Sequence, residues 1–246
     1  RMLRNILPQA SFYNNIFSIS DPYFDRIFVG FENKLAWTMP GKPDTFPRTS
    51  LQTVGYGGDE IYGIITWAPV LVIINRDSVF ELQGTEFEAP NANYTLQKTG
   101  SRHGSKAPKT VIKTPYGIPL LDYDGISMYQ PGQGIDVPLD WAMEKMTDVF
   151  KGPFAYNPAA LKGDRIPALN DGFIRDSSAC YADGKLYLAM ACGVGQATVN
   201  YVFVLDFRTK QVWTYKYPFD ISCLFWDFVS NTLLAGTYDG KIMRLE

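Results

Sequence analysis

One histidine, three cysteines and no apolar run near membrane-span length make up the short side of this 246-residue sequence. The lone His103 confines any Ser-His-Asp chemistry to a single loop, Gly100-Ser101-Arg102-His103-Gly104-Ser105-Lys106. That loop also has the composition of a backbone anion cradle, or simply of a solvated or packed surface connection. Cys180, Cys192 and Cys223 lack the spacing of a zinc knuckle or a redox pair. Their apolar neighbours predict buried free thiols in a reducing compartment. A membrane-spanning helix needs about 18 or more consecutive apolar residues, and no segment reads as one or as a signal peptide. Charge of one sign is lacking too: 23 Lys and Arg stand against 25 Asp and Glu. The basic stripe of a protein that grips nucleic acid is therefore missing, although a weakly interacting channel wall is not excluded.

The chain is 46% hydrophobic and 15% aromatic, enough to bury a large core. Its dominant pattern is a short apolar or alternating run closed by Gly, Asp, Asn or Pro, the signature of antiparallel strands and hairpins. Such runs group over 58–82, 109–129, 178–217 and 221–245, with a further pair around Ile27 and Trp37. A weak repeat links the groups. Tyr123-Asp124-Gly125 precedes Met128 at the offset at which Tyr238-Asp239-Gly240 precedes Met243, and Asn75-Arg76-Asp77-Ser78 takes the same place in its group. Small meanders in series predict an all-β fold, a β-propeller of about five or six blades forming a single domain over 1–246. One helix is expected over 139–150, capped by Asp136, in an inserted segment at about 131–176.

Chemistry-bearing motifs are sparse. Asp59, Asp122, Asp124, Asp183 and Asp227 are candidates for a glycosidase carboxylate pair, but most sit where turns favour Asp. Gly193-Val194-Gly195-Gln196 is followed by neither Lys-Ser nor Lys-Thr and reads as a hairpin turn. Pro131-Gly132-Gln133-Gly134 reads as a flexible connection. No Cys, His and Asp grouping suggests a metal site, and no cofactor is expected. Trp67, Trp213 and Trp226 read as core, and Trp37 as packing the turn that follows it. Tyr94, Tyr116 and Tyr156 are loop aromatics that cover the core or bind sugar or protein.

The stretches Arg26-Ile27-Phe28-Val29-Gly30, Leu35-Ala36-Trp37-Thr38 and Lys42-Pro43-Asp44-Thr45-Phe46-Pro47 resemble an early blade of the propeller proteins of short-tailed bacteriophages. The match is strongest from Gly58-Asp59-Glu60-Ile61 through Asn75-Arg76-Asp77-Ser78 to Gln83-Gly84. It continues at 117–129, at 202–213 and at Tyr238-Asp239-Gly240-Lys241-Ile242. Tail-hub, nozzle and head-completion (stabilisation) proteins have this order of strand, polar turn, strand and glycine.

The resemblance implies a non-enzymatic structural component of the virion tail or neck, present in the host cytoplasm during assembly. Its implied partners are other phage tail proteins and portal or adaptor proteins, in a homo-oligomeric ring through which DNA passes non-specifically, without membrane insertion. The inserted segment is expected to supply the contacts between subunits, through Trp141, Met146, Phe150 and Tyr156. The alternatives are a glycan-binding or glycan-cleaving propeller used in host attachment, and a cellular protein-interaction propeller.

Overall fold

The computed structural model describes residues 16–47, 49–87, 91–150 and 166–245. Its strands are all antiparallel to their neighbours and follow the chain in order. The first sheet holds β1 (Ile16–Ile19), β2 (Phe28–Phe31), β3 (Lys34–Trp37) and β4 (Leu51–Thr53). The second holds β5 (Ile61–Trp67), β6 (Val70–Asn75), β7 (Val79–Gln83) and β8 (Thr95–Lys98). A three-stranded sheet follows, of β9 (Ile118–Asp122), β10 (Gly125–Gln130) and β11 (Ile135–Pro138). The last sheet runs through β12 (Ser178–Ala182), β13 (Lys185–Met190), β14 (Val199–Asp206), β15 (Gln211–Asp227), β16 (Thr232–Thr237) and β17 (Ile242–Leu245).

The 17-residue β15 serves two leaves. Its first half pairs with β14 and its second half, from Ile221, pairs with β16. Pro218 lies between the halves and has no N–H to give a ladder, so the register breaks there. The described residues thus form five antiparallel leaves, the all-β architecture that the hairpin pattern predicts. The turns fall where expected. At Asp183-Gly184, between β12 and β13, both residues have positive φ, 48° and 75°, which a two-residue hairpin of this kind requires. Asn75–Ser78, Tyr123–Gly125 and Tyr238–Gly240 each lie at a hairpin as well, the first and third between the second and third strands of a leaf and Tyr123–Gly125 between the first and second.

Chain contacts divide the protein into two units. Unit 1 takes in the chain up to Ser105, with Tyr116–Ile118 and Tyr129–Asp136; unit 2 takes in Lys106–Pro115, Pro119–Met128 and the chain from Val137. In unit 1 the first two sheets share a core. Phe28, Leu35 and Trp37 of one meet Ile61, Ile64, Leu71, Ile73 and Leu82 of the other. Strand β6 is buried at all six positions, which is why it reads Val-Leu-Val-Ile-Ile-Asn without alternation. In unit 2, β13 and β14 are covered on both faces. Leu186, Leu188, Met190, Phe203 and Leu205 pack with Leu121, Ile126 and Met128, while Tyr187, Ala189, Val202 and Val204 pack with Leu224, Leu233, Ala235 and Leu245.

The helix expected over 139–150 is two four-residue turns, α1 (Asp140–Met143) and α2 (Thr147–Phe150). Asp136 does not cap it. Its carboxylate accepts from the Arg102 N–H at 2.9 Å, and Leu139 occupies the cap with no side-chain bond. Both ends are tied to other backbone: Leu139 N–H donates to Ile126 O at 3.0 Å and Leu169 N–H to Val149 O at 2.8 Å. The apolar stripe Ala142, Met146, Val149 and Phe150 still faces the core. Packing of that stripe holds the segment, and a short helix gains little from its own ladder.

Candidate functional site

The described residues include every sequence-derived candidate except Tyr156. Asp59 is fully buried at the β6–β7 turn. Its carboxylate accepts from Asp77 N–H at 2.7 Å, from Asn75 Nδ2 at 3.3 Å and from the Ser78 hydroxyl. Asp227 caps its own turn, accepting from Val229 N–H at 3.0 Å and from Ser230, and these bonds hold its carboxyl below the usual range. Asp122 accepts from Tyr123 N–H, and Asp183 occupies the tight turn already described. Asp59 belongs to unit 1, whereas Asp122, Asp183 and Asp227 belong to unit 2. Among the described residues, no group of three or more His, Cys, Asp and Glu side chains is placed to hold a metal, and no helix is long and apolar enough to cross a membrane.

The His103 loop is packed rather than solvated. Ser101 donates from Oγ to the His103 carbonyl at 2.8 Å, and Ser105 N–H donates to Asn75 O at 3.0 Å. Gly104 is buried against the Asn75–Arg76 turn. A Cβ there would run into the Asn75 carbonyl oxygen and would stand 2.7 Å from the Arg76 carbonyl carbon. Backbone cannot yield to such a contact as a side chain does. Gly104→Ala is therefore expected to lower the unfolding free energy by ~1–3 kcal/mol, measured by urea denaturation.

The segment 131–134 forms the tight hairpin turn between β10 and β11 instead of a flexible link, with Gly132 N–H donating to Glu81 at 2.7 Å. Glu81 also accepts from the buried Tyr129 hydroxyl at 2.7 Å, and desolvation, then Glu81, pushes that phenol far up.

Of the expected interface residues, Met146 and Phe150 lie in the unit 2 core at 1% and 8% exposure. Trp141 is half-buried, its ring edge-on to Phe207 at 5.8 Å. Tyr156 lies outside the described residues. The loop aromatics divide: Tyr94 stacks on Phe87 at 5.3 Å, while Tyr116 is exposed.

The three thiols also differ from expectation. Cys192 is buried, Cys180 is half-buried and Cys223 is exposed, because Cys223 faces outward where Leu224 faces inward on β15. Burial pushes the Cys192 thiol up to about 12. A thiol reagent at neutral pH is expected to modify Cys223 first, Cys180 slowly and Cys192 only in denaturant, as read by mass spectrometry.

Of the tryptophans expected in the core, Trp67 and Trp226 are half-buried and Trp213 is exposed. Trp213 is 41% exposed, and with Tyr215 and Tyr217 it occupies alternate positions on the first half of β15. Alternate residues of a strand share a face, so the three rings form a ladder. Tyr215 and Tyr217 stack with centroids 6.5 Å apart, and Phe219 continues the row 5.5 Å from Tyr217. The ladder walls a groove of about 620 Å³ wholly within unit 2. Val202, Val204 and Leu233 are its apolar floor, Tyr187 closes one side, and Lys185 and Arg244 bring two positive charges. Tyr187 itself stacks on Trp226 at 6.1 Å, and burial raises its phenol. No carboxylate lines the groove. Among the described residues neither Lys185 nor Arg244 has a side-chain hydrogen bond or ion pair. The alternation Trp213-Thr214-Tyr215-Lys216-Tyr217-Pro218-Phe219 is the sequence signal for this ladder.

No protein-family profile matches the chain, and no curated protein matches it. Solved structures do. The extracellular domain of the one-component system BT4673 from B. thetaiotaomicron superposes with a TM-score of 0.53 at 14% identity, over 94% of this chain and 26% of that one. The dihydro-heme d1 dehydrogenase NirN, solved in complex with DHE, gives 0.51 at 14% identity, over 90% of this chain and 43% of that one. The likeness shows the fold. The chain is all-β, built of antiparallel meanders in the manner of a β-propeller, and it spans less than half the length of either neighbour. At this identity the neighbours' activities carry no weight for the groove.

Proposed function

We propose that the chain is a non-enzymatic, rigid β-scaffold that serves as a structural component of a bacteriophage tail or neck. In this role it meets other tail, portal or adaptor proteins as a ring of like copies around the DNA channel. The observation that carries the reading is the order of hairpins. The stretches that resemble the phage proteins fall on β2–β3, on β5–β6–β7, on β9–β10, on β14–β15 and on the β16–β17 turn, in series. Leaves covered on both faces resist deformation, because a close-packed interior yields little to load. The near balance of 23 basic and 25 acidic residues suits a wall that DNA passes without being held. Electron microscopy of the purified protein, alone and with a portal, is the test. Ring-shaped particles and a portal complex are expected. A monomer that ignores the portal would overturn the reading, as would turnover in a glycoside hydrolase screen.

The groove favours a second reading, a glycan-binding propeller used in host attachment. Exposed aromatic rings on a rigid strand offer flat apolar faces with polar tips at low entropic cost, the qualities that sugar rings need from a binding surface.

A further inference from the structure

The ladder and the two cations together are more selective than a general sticky face. We propose that the unit 2 groove binds an acidic oligosaccharide, with sugar rings lying along Trp213 and Tyr215 and sugar carboxylates meeting Lys185 and Arg244. The inference rests on the glycan-binding reading and deepens it.

Three observations carry it. First, the aromatic positions are exposed although their neighbours are core. Trp213 and Tyr215 are 41% and 48% exposed, over a floor in which Val202 and Leu233 are about dry, at 1% and 2%. Large rings held open to water on a buried floor are costly for a purely structural strand and are suited to a ligand that covers them. Second, residues two apart on a strand recur every ~6.5–7 Å, so the ladder offers repeated platforms to a repeating ligand. The Tyr215 and Tyr217 rings stand 6.5 Å apart. Third, the charge is one-sided. Both ionic side chains that line the groove are basic; Asp206 stands across from Lys185 in the β13–β14 register, but its carboxylate is held by the N–H groups of Arg208 and Thr209. A carboxylate entering there gains charge-assisted hydrogen bonds from two cations that no described side chain holds.

A single-stranded nucleic acid also combines anions with flat rings, but it is gripped by a basic stripe that follows the backbone. Here two cations serve the whole groove and the chain's net charge is −2. The volume of about 620 Å³ suits a few ring-sized units, within the ~300–1,000 Å³ usual for small-ligand clefts.

The test uses the full chain, with isothermal titration and tryptophan fluorescence. The probes are tetragalacturonate and trisialic acid, each beside its methyl ester, and an oligothymidylate. At least one acid is expected to bind roughly tenfold or more tightly than its ester, with quenching of Trp213. Trp213→Ala is expected to weaken acid and ester alike. Lys185→Gln with Arg244→Gln is expected to abolish the difference between them and to leave the ester unchanged. All three sites are at least partly exposed, and an unchanged melting temperature will show that the variants fold. An ester that binds as well as its acid, still dependent on Trp213, overturns the acidic class and leaves the glycan reading standing. Binding of oligothymidylate alone, or of no probe, overturns both. Acid binding indifferent to Trp213→Ala and to the double variant overturns the placement in this groove.

Discussion

Asp59→Ala is expected to destabilise the protein by about 4 kcal/mol, the largest effect of any single polar substitution described here. The carboxylate is fully buried and gathers three donors, the Asp77 backbone N–H, the Asn75 amide and the Ser78 hydroxyl. Alanine removes the acceptors; the Asn75 amide keeps its bond to the backbone carbonyl of residue 59 at 3.0 Å, while the Asp77 N–H and the Ser78 hydroxyl lose the carboxylate. Each buried group left unpaired costs ~1–3 kcal/mol, and water has no ready access to replace the lost oxygen. The same turn seats Gly104 and Ser105, so the loss spreads from the β6–β7 hairpin to the loop packed on it. Asp59→Asn keeps the oxygen for Asp77 but turns an NH2 toward the Asn75 amide and the Ser78 hydroxyl. It is expected to recover part of the loss. The measurement is the urea midpoint of the two variants against the parent protein. An Asp59→Ala midpoint within error of the parent would refute the hub.

Trp37→Ala follows at ~3–5 kcal/mol, through loss of packing. Trp37 is 2% exposed and lies among Phe28, Phe87 and Tyr94, with ring centroids 5.9, 5.8 and 5.7 Å away. Truncation to a methyl group forfeits the transfer term and opens a cavity between the two sheets of unit 1, where rings cannot collapse without leaving their rotamers. Trp37→Phe separates this account from a polar one. The indole Nε1 is buried with no hydrogen-bond partner among the described residues, so phenylalanine removes an unpaired donor while filling most of the space. It is expected to cost less than half as much as alanine in a guanidinium titration. Equal losses in the two variants would mean that ring bulk is not what holds the sheets together.

Trp37 also shows how far the sequence could be read. As part of Leu35-Ala36-Trp37 it is legible as a strand residue, yet its sequence neighbours point only to the turn that follows. Its partners Phe87 and Tyr94 lie more than 45 residues on, and no local pattern names them. Trp213 is the converse. A tryptophan in a strand is core by composition, yet alternation says only that Trp213, Tyr215 and Tyr217 share a face. Which face meets water depends on where β15 changes leaf, and that follows from the pairing of its second half with β16. Met146 and Phe150 lay on a stripe that periodicity identified, but only packing shows that the stripe turns inward.

The amino-acid order alone determined the apolar strands, most hairpin turns and the all-β class, because alternation and turn chemistry act within a few residues, while the short polar strands β4, β8 and β11 formed only through pairing with a neighbour. Tertiary structure alone decided that Asp59 is a hub, that Cys223 faces out and that an aromatic ladder beside two free cations makes a groove. Each of these depends on residues far apart in the chain meeting in space. Burial, and with it the cost or use of a polar or aromatic side chain, is a property of those meetings and is written at no single position.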